Sequence, residues 1–302
     1  MTEHPLDAAD AARLLHSGQQ VGQRVYATID FRTQALVQAG TALAIFVYVS
    51  AFLFLFGGQD ATAVTNAAAG GYSFSTTLLL PILVLSFLTL GVRDTLRATL
   101  LSRHPSLSIT AGLVGIIPFM VVAAASIFGA HYSWWVNPLA TLCAAAQPAT
   151  LALRSARNAR THPAPSVPAG TRVALSTQAL TVTVAVGVLF GLAAASGAFR
   201  YGAIVGAFVM VLLLVMLALS TTRWGLSAVG AEWGRAQWLG FAASFGLLVG
   251  VTVILVRTPF DAPLIGIAGG LTVAAPLALS AIRGSASREG SEGSPDAPAA
   301  QS

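Results

Sequence analysis

The sequence predicts an all-α integral membrane protein with eight transmembrane helices, arranged as two parallel-topology four-helix units. Three observations carry this expectation. Hydrophobic residues make up 55% of the 302-residue chain and charged residues only 9%, where a soluble domain carries roughly 25% charged residues. The apolar residues gather into eight segments of about spanning length. The arginines crowd alternate connections between those segments and nearly vacate the others.

The net charge of +5 and a pI near 10.1 raise nucleic-acid binding as a reading. Nearly all the arginines, however, flank apolar runs, so the bilayer is the expected partner and no nucleic acid is. Lysine is absent and all sixteen basic residues are arginine. With abundant Ala and Gly, this fits a GC-rich bacterial genome and a place in the bacterial inner membrane. Cys143 is the single cysteine, so neither an intrachain disulfide nor a cysteine-based zinc site can form.

Residues 1–33 have no early apolar core and are not a secretory signal. Leu14, Val21, Val25 and Ile29 recur near helical spacing, which predicts an amphipathic helix from about Asp7 to Arg32 lying along the cytoplasmic membrane surface. Its sharper alternative is a docking helix for a cytosolic partner. The first unit, residues 34–160, holds spans at Leu36–Phe56, Ser75–Val92, Leu107–Phe128 and Trp135–Leu153. Pro81, Pro118 and Pro148 fall inside the last three.

A stretch with four arginines and no acid, Arg154–Arg172, joins the halves and contains the proline-rich linker 161–171. The second unit, residues 172–283, holds spans at Val173–Ala195, Tyr201–Ser220, Trp238–Val256 and Ala262–Ile282. The polar tail 284–302 is expected to be disordered.

With both termini cytoplasmic, fourteen of the sixteen arginines fall on the inner side. Only Arg200 and Arg257 fall outside. A miscounted span would invert some clusters, so the alternation supports eight crossings. Tyr132, Trp134 and Trp135 sit where an outer aromatic belt is expected. The inner loop Arg223–Trp238 places Trp224, Trp233 and Trp238 among small residues, the pattern of an interfacial anchor with its tryptophans at headgroup level.

The halves resemble each other in order. Thr33-Gln34-Ala35-Leu36 recurs as Thr177-Gln178-Ala179-Leu180, and Pro148 with Arg154 matches Pro276 with Arg283. Four spans per unit is an even number, so duplication gives parallel copies, and sites in such proteins lie between the repeats. Each second-half span carries a GxxxG: Gly187/Gly191, Gly202/Gly206, Gly246/Gly250 and Gly266/Gly270. These pairs are read as helix-packing positions within the monomer; the oligomeric state stays open.

Chemistry is conspicuous by omission. No span carries Asp, Glu, Arg or His in its middle, where an ion or proton path would place one. The five histidines are scattered, and no metalloprotease, nucleophile-elbow or phosphate-loop motif occurs. No catalytic, cofactor or metal site is expected. Gln34, Gln38, Gln147 and Gln178 lie toward the inner ends of the spans and with the mid-span Pro118 could line a path; interhelical hydrogen bonding is the plainer reading. The expected function is a non-enzymatic accessory or scaffold component of a membrane complex, meeting a protein partner at its cytoplasmic face. The alternative is a permease for a small neutral or apolar solute, with its path between the halves.

Overall fold

The computed structural model describes residues 30–56, 74–95, 105–128, 130–161, 175–199, 202–257 and 263–292. Among them the chain forms nine α-helices and no strand. They are α1 Phe31–Phe56, α2 Phe74–Thr95, α3 Pro105–Ile127, α4 Val136–Thr161, α5 Thr177–Ser196, α6 Gly202–Ala218, α7 Leu226–Glu232, α8 Arg235–Arg257 and α9 Pro263–Glu292. Each of the eight apolar segments is thus a helix, and α7 is an additional short one. The expected N-terminal helix lies outside the described residues except at its last positions, where Phe31 and Arg32 already belong to α1. Residues 57–73 and 162–174 also lie outside, so of the expected linker 161–171 only Thr161, the last residue of α4, is described.

Among the described residues four helices are long and apolar enough to cross a membrane: α1, α5, α8 and α9. Shorter apolar stretches occupy Leu79–Val92 of α2, Val114–Ser126 of α3 and Ile204–Ala218 of α6. α4 has 26 residues, but Asn137, Gln147 and Pro148 dilute its apolar run. The outward faces are apolar: Ile204, Leu239 and Leu264 are 67%, 71% and 79% exposed. An exterior of this kind suits hydrocarbon and not water. α9 continues to Glu292, so residues 284–292, expected to be disordered, are helical. Extending an existing helix avoids the cost of nucleating one.

Local chemistry sets the helix starts. Asp30 caps α1, its Oδ1 accepting from the backbone N–H of Arg32 at 3.0 Å and of Thr33 at 3.1 Å. Ser176 caps α5, its Oγ accepting from Ala179 N–H at 3.1 Å. Each capping oxygen satisfies helix N–H groups that have no partner within the helix.

Both halves pack in the same order of intimacy. In the first, α1 lies most extensively on α4, then α3 on α4, α1 on α2 and α1 on α3. In the second the sequence is α5 on α9, α8 on α9, α5 on α6 and α5 on α8. Small residues permit the closest pair in each. On α4 the buried residues are Ala140, Thr141, Ala145, Pro148 and Ser155. On α5 and α9, a Cβ added at Gly191 would sit 2.6 Å from the Gly270 carbonyl oxygen, and one at Gly270 would sit 2.6 Å from that of Gly191.

The cores do not follow the boundary between the halves. Val49, Phe52, Leu53, Phe119, Val122, Ala123 and Ala140 form a first-half cluster from α1, α3 and α4. Phe52 meets Phe119 edge-on at 5.4 Å. α2 leaves that cluster. Its Leu80, Val84, Leu85 and Leu88 pack with Val186, Phe190, Leu213, Leu226, Val229, Phe245 and Leu248 of the second half.

Candidate functional site

The seam between the halves was the expected place for function, and α2 with α7 builds its arginine-bearing end. After α6 a 3-10 turn, Leu219–Thr221, reverses the chain. Gly225 sits so close to the Ser220 carbonyl that a side chain there would overlap it. Ser227 Oγ donates to that carbonyl at 2.8 Å. α7 then runs antiparallel to the last turns of α2: a Cβ at Gly91 would overlap the backbone of Ser227, and one at Gly230 the backbone of Leu88. The two backbones touch directly, which two glycines permit and no other residue pair would.

Two hydrogen-bonded links hold α7 to the second half. Glu232 accepts from Ser176 N–H at 3.0 Å and from Ser176 Oγ at 3.2 Å. A carboxylate at the start of α5 also complements the positive end of that helix. Trp233, 7% exposed, donates its indole N–H to Thr183 Oγ at 2.9 Å, and Thr183 donates onward to the Ala179 carbonyl at 2.6 Å. Its ring stands edge-on to Trp238 at 5.2 Å and lies 6.0 Å from Phe241. Gln237 is buried; its Nε2 donates to the Ser280 carbonyl at 3.0 Å and its Oε1 accepts from Gly234 N–H at 3.0 Å.

This corrects the reading of the tryptophan loop as a headgroup anchor. Trp224 is exposed as an anchor requires, but Trp233 is core and Trp238 is half-buried. The reason is the reversal before α7, which turns Trp233 inward onto α5. Tyr132 differs from belt expectations in the same way. It is half-buried and shares a 2.6 Å hydrogen bond with the buried Ser126, while Trp134 and Trp135 are exposed.

The candidate path residues are dispersed. Gln34 and Gln38 lie on α1, four residues apart and so on one face. Gln38 is buried, and the buried Gln34 Oε1 has no hydrogen-bond partner among the described residues. Gln147 is half-buried on α4, the chief neighbour of α1. Pro118 is half-buried inside α3. Gln178 is on the first turn of α5, which packs substantially on neither α1 nor α4. The structure therefore brings Gln34, Gln38 and Gln147 onto one helix pair and leaves Gln178 elsewhere.

The GxxxG positions also divide. Gly187, Gly191, Gly266 and Gly270 all abut partners across the α5–α9 contact, Gly266 against Ala198 just past α5. Gly202 abuts the Ser196 carbonyl within the turn before α6. Gly206, Gly246 and Gly250 face open space. Sequence reasoning did not find Gly91, Gly230, Glu232 or the Trp233–Thr183 pair. Gly91 is an isolated glycine, and the Gly230/Gly234 pair lies in the loop between apolar segments, outside the spans where a packing stripe is sought.

Among the described residues no cluster of three or more His, Cys, Asp or Glu could hold a metal. Glu232 is engaged with the start of α5, where Ser176 donates to it. No known family, curated protein or solved structure matches the chain.

Proposed function

We propose that this chain is a non-catalytic membrane component, an accessory or scaffold subunit that meets a protein partner through its arginine-rich cytoplasmic face. The observation that supports it is the filled seam. Where a carrier would need a wettable path, the leucines and valines of α2 interlock with α5, α6, α7 and α8 in one apolar cluster, and α7 closes its end by backbone contact with α2. An apolar contact packed in this way leaves no hydrated route between the halves, because interiors are close-packed with few voids larger than a water molecule.

In this reading the eight segments all cross the bilayer, as two parallel four-helix units with both termini cytoplasmic, and the protein resides in a bacterial inner membrane. The matching order of helix contacts in the two halves supports duplication beyond what short apolar sequence matches can. The test is purification together with reconstitution. Affinity-purified full-length protein should bring a partner in fixed stoichiometry and, in sealed vesicles, should move no small neutral solute. Saturable solute flux that is abolished by unfolding the protein would replace this reading with the permease.

A further inference from the structure

α4 carries three described arginines near its C-terminal end, Arg154, Arg157 and Arg160. Its 26 residues make about 39 Å of helix, some 9 Å more than a hydrocarbon core of about 30 Å needs. The excess carries Arg154, Arg157 and Arg160, all exposed. At 3.6 residues per turn, Leu139, Leu142, Ala146 and Leu153 fall within about 60° of each other, and Arg157 and Arg160 fall on that same strip, with Arg154 about 60° to one side. All four of those apolar residues are exposed. The buried Thr141, Pro148 and Ser155 occupy the far side. The arginines thus continue the outward, apolar strip of α4 and do not point beneath the bundle.

Depth agrees with direction. Arg154 immediately follows Leu153, the last residue of the apolar run. Arg157 lies about 6 Å and Arg160 about 10 Å beyond Leu153 along the axis, against a headgroup layer of roughly 5–8 Å per leaflet. None of the three guanidinium groups pairs with another described residue, and the segment 154–161 contains no acid. Asp30, the carboxylate at the start of the neighbouring α1, is occupied by Arg32 N–H and by Thr33.

We propose that Arg154, Arg157 and Arg160 form a lateral binding surface for anionic phospholipid headgroups of the cytoplasmic leaflet. This rests on α4 crossing the bilayer, not on the scaffold assignment. The occupant is a lipid and not a protein because Arg154 and Arg157 lie at headgroup depth and Arg160 within side-chain reach of it, in line with the hydrocarbon-facing strip. Guanidinium groups match phosphate by paired hydrogen bonds as well as charge.

The test is native mass spectrometry of the full-length protein in mild detergent, titrated with phosphatidylglycerol or with phosphatidylcholine. Each arginine near an anionic surface contributes about fivefold in affinity. Wild type should retain phosphatidylglycerol preferentially. The variant R154Q/R157Q/R160Q should lose roughly a hundredfold of that retention at an unchanged melting temperature, while R154K/R157K/R160K should keep most of it. Equal retention of both lipids by wild type would overturn the proposal, as would full retention of phosphatidylglycerol by the glutamine variant. Displacement of the lipid by excess inorganic phosphate would also overturn it, by revealing a site for the free anion. A glutamine variant that changes oligomeric state with lipid retention intact would overturn it in favour of a contact between copies. Sided cysteine labelling of R157C in a C143S background reports separately whether α4 crosses.

Discussion

Trp233 and Thr183 depend on each other unequally. The threonine hydroxyl accepts the indole N–H and donates to its own helix, whereas the indole has no second acceptor. Thr183→Val therefore leaves a buried donor unpaired and should cost about 1–3 kcal/mol, while Thr183→Ser keeps the acceptor and should cost under about 1 kcal/mol. In a Trp233→Phe background no donor remains to be orphaned, so the valine cost should fall. Denaturant unfolding in mild detergent measures this cycle; an identical valine cost in both backgrounds would mean the bond contributes nothing. The sequence could not reveal the pairing, because the two residues lie 50 positions apart and meet only through the reversal before α7. A tryptophan near arginines at a span end reads as interfacial from composition alone.

At the scale of elements, the α2–α7 contact depends on two glycines. Gly91→Ala and Gly230→Ala each insert a methyl group into backbone and should each destabilise by at least about 1–3 kcal/mol, the usual cost of overpacking. Gly246→Ala, with nothing within 4 Å of the added carbon, should be neutral or slightly stabilising. Thermal unfolding of the three variants side by side is the check, and equal melting temperatures would show that the contact is not close-packed. Ser176→Ala removes both the α5 cap and a link to Glu232, and should cost about 0.5–2 kcal/mol. The GxxxG pairs of α5 and α9 lie on the faces through which those two helices meet. The spacing could not say that the corresponding faces of α6 and α8 turn outward, since periodicity fixes which residues share a face and not where that face points.

For the whole molecule, apolar segmentation was enough to locate every long helix among the described residues, because in lipid a run of about twenty apolar residues leaves the backbone no better way to satisfy its own polar groups. The crossing number follows from reporters: fusions after residues 65 and 130 should read as external, and fusions after residues 100, 165 and 290 as cytoplasmic. A cytoplasmic reading at residue 65 would break the eight-span topology. Division of the core was less legible. Sequence placed α2 in the first unit by order along the chain, yet its buried leucines belong with the second. In residues 1–161 produced alone, L88C in a C143S background should therefore react faster with a membrane-permeant maleimide, and coexpression with residues 162–302 should protect it.

The membership of α2 in the later core also has a consequence in time. Leu88 meets Gly230, which leaves the ribosome about 140 residues afterwards, on the order of ten seconds or more at roughly 5–20 residues per second. On the eight-span reading, α2 waits out that interval without its second-half neighbours, its leucine face uncovered. Assembly must then proceed backwards, with the last helices made recruiting one of the first. A chaperone or insertase that shields α2 during this wait would act on yield without touching the finished protein.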